Sequence, residues 1–296
     1  MQIFNEEERV QNEKAAAPID SAAWVLPNAS VRKVRARDGG LIEFVHASSA
    51  GAPRMVLVHS LAMTHKFWVP VIRELAGKAD VIALDCRGHG ASEKSPGPYS
   101  LERFADDVAD IMDSLDWTSA LVAGASMGGA VALQFAARYP DRTSALGLID
   151  TTAWYGQTAP RDWSKRAEAA AAKGLHSLTD FQQSRWFSDR FRQDNPEVVR
   201  FCVDTFVAND IDAYSATCNM LGGFDLRHCL KDLAMPTAVI VGEEDYATPV
   251  AMAEDLHKGI RGSTLEVIRE GRHLTPLEHP ALIADRLYSL ARKTSS

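Results

Sequence analysis

The 296-residue chain is poor in cysteine, has no long apolar run and carries no excess of positive charge, and each shortage removes a class of protein. Its four cysteines, Cys86, Cys202, Cys218 and Cys229, make no CxxC pair and no Cys/His spacing suited to a metal. Disulfide scaffolds and zinc modules are therefore set aside. Each cysteine reads as a small buried hydrophobe in a reducing compartment. No apolar stretch approaches the roughly 20 residues that span a bilayer. The opening segment MQIFNEEERVQNEK is charged where a signal peptide would be apolar. A cytoplasmic location without a membrane partner is expected. The formal net charge of −7 leaves no electrostatic footprint for nucleic acid. Phosphate-binding loops and dinucleotide fingerprints are also missing, so neither a cofactor nor a metal is expected.

What remains is the composition of a globular protein large enough to build a core without crosslinks. Residues 1–30 are polar and Ala-rich, with Pro18 and Pro27, and read as an amino-terminal arm, mobile or laid on the surface. From Val31 the pattern changes. Two opening strands are expected over Val31–Ala36 and Leu41–Ala47, joined by the Asp38-Gly39-Gly40 turn. Continuous apolar runs follow at Met55–Val58, Val81–Leu84, Ala120–Ala123, Ala145–Ile149, Ala238–Val241 and Leu265–Ile268. Such runs suit strands buried on both faces of a parallel sheet. Helical spacing over Leu101–Leu115, Gly128–Tyr139 and Pro280–Ala291 lies between and after them. Strand alternating with helix predicts an α/β fold, a mostly parallel sheet flanked by helices. The alternation breaks over 153–233, a helical stretch rich in Arg, Ala and aromatics. This stretch reads as an inserted cap, dividing the core into 31–152 and 234–296. A cap there would shape a pocket beyond the strand ends, where open α/β sheets bind small molecules.

The strongest chemical signal is Gly124-Ala125-Ser126-Met127-Gly128-Gly129, between an apolar strand and a helix. Gly-x-Ser-x-Gly in that setting is a nucleophile elbow, a tight turn that projects the Ser126 hydroxyl into a cleft. A serine hydroxyl needs a general base held by a third group. Along the chain, Asp245 follows one apolar strand in Gly242-Glu243-Glu244-Asp245, and His273 follows the last one in Gly271-Arg272-His273. His273 is read as the base and Asp245 as the acid, in the order nucleophile, acid, base. Asp150, at the end of the strand before the cap, competes with Asp245. His279, ahead of the last helix, competes with His273 but better suits a surface or capping role. The amide of Met127 supplies one oxyanion donor, and the amide of Leu61, in the loop Val58–Met63, is the better candidate for the other. His59 and His89 read as props of their loops.

These residues resemble the α/β-hydrolase family from about Val31 to Arg292, and within it the 3-oxoadipate enol-lactonases of aromatic-acid catabolism. The narrower likeness rests on Ser60-Leu61 with Trp68 downstream, Gly-x-Ser-Met-Gly-Gly at the elbow, and the Asp245-x-Ala-Thr-Pro context. In the cap it rests on Trp163-x-x-Arg166, Arg185-Trp186-Phe187, Tyr214-x-Ala216-x-Cys218 and Asp225-Leu226-Arg227. Ala62, where a glycine is common, and Asp150-Thr151-Thr152, where Asn-Thr is usual, depart from it. The resemblance implies attack by Ser126 on a small carboxylate-bearing lactone, an acyl-enzyme, and release by water activated at His273. It also implies a cation in the pocket, Arg185 first and Arg166 second, though both could instead pair along a helix. Trp154 and Trp186 would wall the pocket or pack cap against core. Alternatives are a carboxylesterase, a carbon–carbon bond hydrolase of aromatic degradation, or a ligand receptor built on the same fold. The expected partner is a small-molecule substrate, with a homo-oligomer possible.

Overall fold

The computed structural model describes residues 24–26 and 28–293. The arm expected over 1–30 therefore lies largely outside the described residues. At its described end, Trp24 is buried and stacks at 3.7 Å on Phe201 of the inserted segment, while the Val25 carbonyl accepts from Arg73.

Eight strands form one sheet: β1 (Ser30–Arg35), β2 (Leu41–Ala47), β3 (Arg54–Val58), β4 (Asp80–Leu84), β5 (Ala120–Ala125), β6 (Thr143–Ile149), β7 (Thr237–Gly242) and β8 (Thr264–Ile268). Their spatial order is β1-β2-β4-β3-β5-β6-β7-β8. β2 runs antiparallel to both β1 and β4, and every other neighbouring pair is parallel. β5 and β7 are buried along their whole length, as unbroken apolar runs require. β8 departs from that rule. It forms an edge, its Val267 is exposed, and its Glu266 binds Arg286 through both carboxylate oxygens.

The core helices are α1 (Val69–Glu74), α2 (Leu101–Asp113), α3 (Met127–Arg138), α9 (Val250–Gly259), α10 (Thr275–Glu278) and α11 (Pro280–Arg292). α2 packs beside α3, and α1 beside α11, giving the sheet its two helical layers. α1, α9 and α10 are short and carry no extended apolar period, so spacing did not reveal them.

Between β6 and β7 the chain forms the cap: α4 (Ala159–Lys173), α5 (Thr179–Trp186), α6 (Asp189–Asp194), α7 (Pro196–Val207) and α8 (Ile211–Gly223). A turn of 3-10 helix over Arg227–Asp232 leads back to the sheet. α4 lies along α8, and Leu274 of the core donates its amide to the Trp186 carbonyl, tying cap to core beside the carboxyl ends of the strands.

Candidate active site

β5 ends at Ala125, and α3 begins at Met127, so Ser126 alone carries the reversal. Its φ of 55° is one that non-glycine residues seldom adopt. The turn holds because glycine flanks it on both sides. A Cβ at Gly124 would lie 1.9 Å from the Gly128 carbonyl oxygen, and one at Gly128 would lie 2.1 Å from that of Val58. Thr151 completes the support by donating its hydroxyl to the Ser126 carbonyl at 2.7 Å. The strain is therefore paid by close backbone packing that only glycine permits.

β7 and β8 deliver the other two groups. His273 Nε2 lies 2.9 Å from Ser126 Oγ, and its Nδ1 lies 2.8 Å from Asp245 Oδ2. With Nδ1–H donating to the carboxylate, Nε2 is left free to accept from the serine hydroxyl. Asp245 also accepts from the amides of Ala247 and Thr248 and from the Thr248 hydroxyl. Burial alone would raise its pKa, but His273 and these donors outweigh it and hold the carboxyl below its usual value. The Thr-Pro step after Asp245 thus has a function, because Thr248 orients the acid.

Asp150, the competing acid, is fully buried but points elsewhere. Its oxygens accept from the Gly242 amide and from the amide and hydroxyl of Thr275, joining β6, β7 and α10. Burial first, and then the neighbouring Asp245, push its pKa well up. His279 makes no side-chain cap at α11 and has no hydrogen bond to Ser126.

The other two histidines hold loops. His59 donates from Nδ1 to the Ser60 carbonyl and accepts the Cys86 amide on Nε2, a pattern only the neutral ring satisfies. Burial lowers its pKa to about 4 and that of His89 to about 3. His59 thereby fixes the loop carrying Leu61. Ala62, in the glycine-favoured position of that loop, does take a left-handed φ of 60°. Asn209 of the cap donates to its carbonyl at 2.9 Å. Nothing in the sequence pattern singled out Asn209.

Above the triad lies a cavity of about 470 Å³ whose lining includes Leu61, Ser126 and His273 from the core and Tyr155, Arg166 and Trp186 from the inserted segment. A larger groove of about 820 Å³, between the start of α2 and the face of α8, contains no triad residue. Trp154 corrects an expectation. It is absent from the catalytic cavity and lies under the Arg227 guanidinium at 3.6 Å, with its backbone bridged to Asp225. Its neighbour Tyr155 faces the cavity instead, as adjacent side chains in an extended segment point in opposite directions.

The two candidate arginines differ. Arg185 lies over Phe181 and donates to the Tyr246 carbonyl at 2.6 Å. Arg166 is flanked by the rings of Trp163 and Tyr214 and donates to the Tyr214 hydroxyl at 2.7 Å. Among the described residues its guanidinium has no carboxylate partner. Gln182, also lining the cavity, is buried and its Nε2 has no acceptor among the described residues.

One group of described side chains has metal-ligand proximity: Glu43, His65 and Asp85, with atoms within 4.8 Å of one another. Internal partners already occupy it. Asp85 accepts from the His65 amide and ring and from the Ala91 amide, and Glu43 pairs with Lys33 at 3.6 Å.

A serine held by histidine and aspartate beneath a capped pocket defines a serine hydrolase acting on ester or lactone bonds. The chain belongs to the α/β-hydrolase family, whose profile (alpha/beta hydrolase fold) matches residues 53–280. It is 30% identical to 3-oxoadipate enol-lactonase 2 of Acinetobacter baylyi over 81% of this chain and 88% of that protein. It is 31% identical to 3-oxoadipate enol-lactonase 1 of the same organism, over 77% and 85%. The crystal structure of the enol-lactonase from Burkholderia xenovorans superposes with a TM-score of 0.84 at 29% identity, covering 88% of this chain and all of that one. Among the described residues no helix is long and apolar enough to cross a membrane.

Proposed function

We propose that the protein hydrolyses a small lactone bearing a carboxylate, in the manner of the 3-oxoadipate enol-lactonases to which it is similar. Arg166 carries this reading. A guanidinium without a carboxylate partner, set in an aromatic frame on the wall of the Ser126 cavity, is built to receive an anion from outside the protein. Gln182, with its unclaimed amide donor on the same wall, supports a polar end of the substrate there. Arg185, already committed to Tyr246, moves to second place.

In the reaction, Ser126 Oγ attacks the lactone carbonyl as its proton passes to His273 Nε2. The amides of Met127 and Leu61 receive the developing oxyanion. Met127 starts α3, where first-turn N–H groups have no acceptor in the helix, and the Leu61 amide has no acceptor among the described residues. His273 then protonates the leaving oxygen, which stays tethered to the acyl group because the substrate is cyclic. Water deprotonated by His273 releases the open-chain acid. No cofactor enters the scheme. The cap, from Ala153 to Leu233, is proposed as the specificity unit and the remainder as the catalytic one.

The test is a panel of carboxylate-bearing enol-lactones, uncharged lactones and neutral aryl esters, assayed with the wild type and with Arg166→Gln. The variant should lose roughly 10–100-fold in kcat/KM on the charged lactones, the worth of one charge-assisted contact. Neutral esters should change less than about 3-fold. Ready ester cleavage without lactone turnover would transfer the assignment to a carboxylesterase.

A further inference from the structure

Asn209 stands in the cap between α7 and α8, 147 residues along the chain from Ala62 in the loop that carries Leu61. Its Nδ2 donates to the carbonyls of Ala62 at 2.9 Å, Thr205 at 2.8 Å and Phe206 at 3.2 Å. All three neighbours are acceptors, so the amide must present its nitrogen to them, one hydrogen shared by the end of α7 and the other given to Ala62. On the core side, the Met63 amide closes a turn by donating to the Ser60 carbonyl at 3.1 Å. Ala62 occupies the third position of that turn, at a φ of 60° that glycine adopts freely and alanine does not.

We propose that Asn209 is a positioning residue, through which the cap holds the left-handed turn at Ala62 and so aims the Leu61 amide at the oxyanion. This role rests on Leu61 serving as an oxyanion donor, and deepens that reading. A trans peptide unit is planar, so fixing its carbonyl fixes the direction of its N–H. The unit joining Ala62 to Met63 is held at both ends, its carbonyl by Asn209 and its N–H by the Ser60 carbonyl. The unit joining Ser60 to Leu61 is held in turn through its carbonyl, which accepts from the Met63 amide and from His59 Nδ1 at 2.8 Å. Its other end is the Leu61 N–H, which has no acceptor among the described residues and belongs to a residue lining the Ser126 cavity. Without the Asn209 bond, Ala62 gains by relaxing to a negative φ, and the peptide units of the turn rotate with it. His59 then remains as the one outside hold on the Leu61 unit. Oxyanion stabilisation depends on donors fixed in advance, so a loosened amide costs rate.

A double-mutant cycle separates this from packing of the cap. Asn209→Ala would be made in the wild type and in an Ala62→Gly background, and hydrolysis of p-nitrophenyl acetate followed in all four proteins. In the wild-type background the variant should lose roughly 10-fold in kcat/KM, a fraction of the about 10²–10³-fold that a whole oxyanion donor is worth. In the glycine background, where a φ of 60° needs no brace, the loss should fall below about 3-fold. The inhibition constant of an alkylboronic acid, whose adduct with Ser126 places an oxygen on the oxyanion donors, should rise in step with the loss of rate. No loss in the wild-type background, equal losses in both, or a rate loss with boronate inhibition unchanged would each overturn the proposal. Each loss is taken against its own parent, so a fall in melting temperature common to both backgrounds cancels. Leu61→Pro tests the reading beneath, since proline suits the second position of such a turn and removes the donor itself. It should cost about 10²–10³-fold in kcat/KM. A Leu61→Pro enzyme near the wild-type rate would sink the oxyanion assignment and this inference together. A crippled one, with equal Asn209→Ala losses in both backgrounds, would sink only the role of Asn209.

Discussion

The core and the cap solve different problems with different materials. In the core, function depends on backbone geometry: a serine at φ 55°, glycines that let strands and helix approach, and loops that end strands at one edge. Few residue types satisfy such constraints, so the same short motifs recur wherever the chemistry does. In the cap, function depends on which side chains of an ordinary helical segment happen to face one cavity. α4 contributes Trp163 and Arg166, and α5 contributes Gln182, Arg185 and Trp186. Each of these would look equally natural on a solvated helix. Chemistry is therefore tightly coded in the core, and the lining of the pocket loosely coded in the cap.

That contrast is sharpest in the triad. Ser126→Ala should remove about 10⁴–10⁶-fold in kcat on every substrate while the melting temperature stays close to the wild type. Kinetics with neutral and charged substrates would check it, since a loss confined to one class would place the catalytic centre elsewhere. Next comes the comparison of two buried acids. Asp245→Asn should cost about 10⁴-fold in kcat by leaving His273 in the wrong tautomer. Asp150→Asn should cost activity far less and melting temperature more, because its carboxylate ties β6, β7 and α10 together. The Arg166→Gln effect, smaller and limited to charged lactones, would show selectivity residing in the cap.

The smallest expected effect concerns acid. His59 and His89 stay neutral in the folded core, with pKa values of about 4 and 3, while an unfolded histidine titrates near 6.5. Below pH 6.5 the unfolded chain therefore binds more protons, so stability is intact above that pH and declines as pH falls toward 4. His59 alone is worth about 3 kcal/mol across that interval. Denaturant titrations at pH 7 and pH 4.5 would measure the fall. A flat profile would mean that these rings are charged in the folded protein and do not prop the loops as neutral hydrogen-bonding groups.

Much of this was legible beforehand, for identifiable reasons. Each of the eight strands announced itself by an apolar run or a turn, because burial on two faces excludes polar residues. β1 and β8, the two edge strands, were the exceptions in environment, since an edge strand can carry Val31 or Val267 toward solvent. Ser126, Asp245 and His273 could be ordered along the chain because each follows a strand. Tyr155 was missed for Trp154 by a single position, as facing cannot be read from an aromatic pair in an extended segment. Asn209, Gln182 and Thr248 had no pattern to mark them, since each acts through one partner distant in sequence or one loop turn.

By itself, then, the sequence determined the alternation of strand and helix, the elbow at Ser126 and the order of its partners. These follow from local constraints: periodic burial, the glycine requirement of a tight turn, and the position of loops after strands. Only the tertiary structure decided between Asp245 and Asp150 as the acid beside His273, and between Tyr155 and Trp154 as the residue that lines the cavity. Those choices depend on distances of a few ångströms between segments up to 147 residues apart, as for Ser126 and His273. Spacing along a chain carries no information on that scale until the sheet and cap close around the cavity.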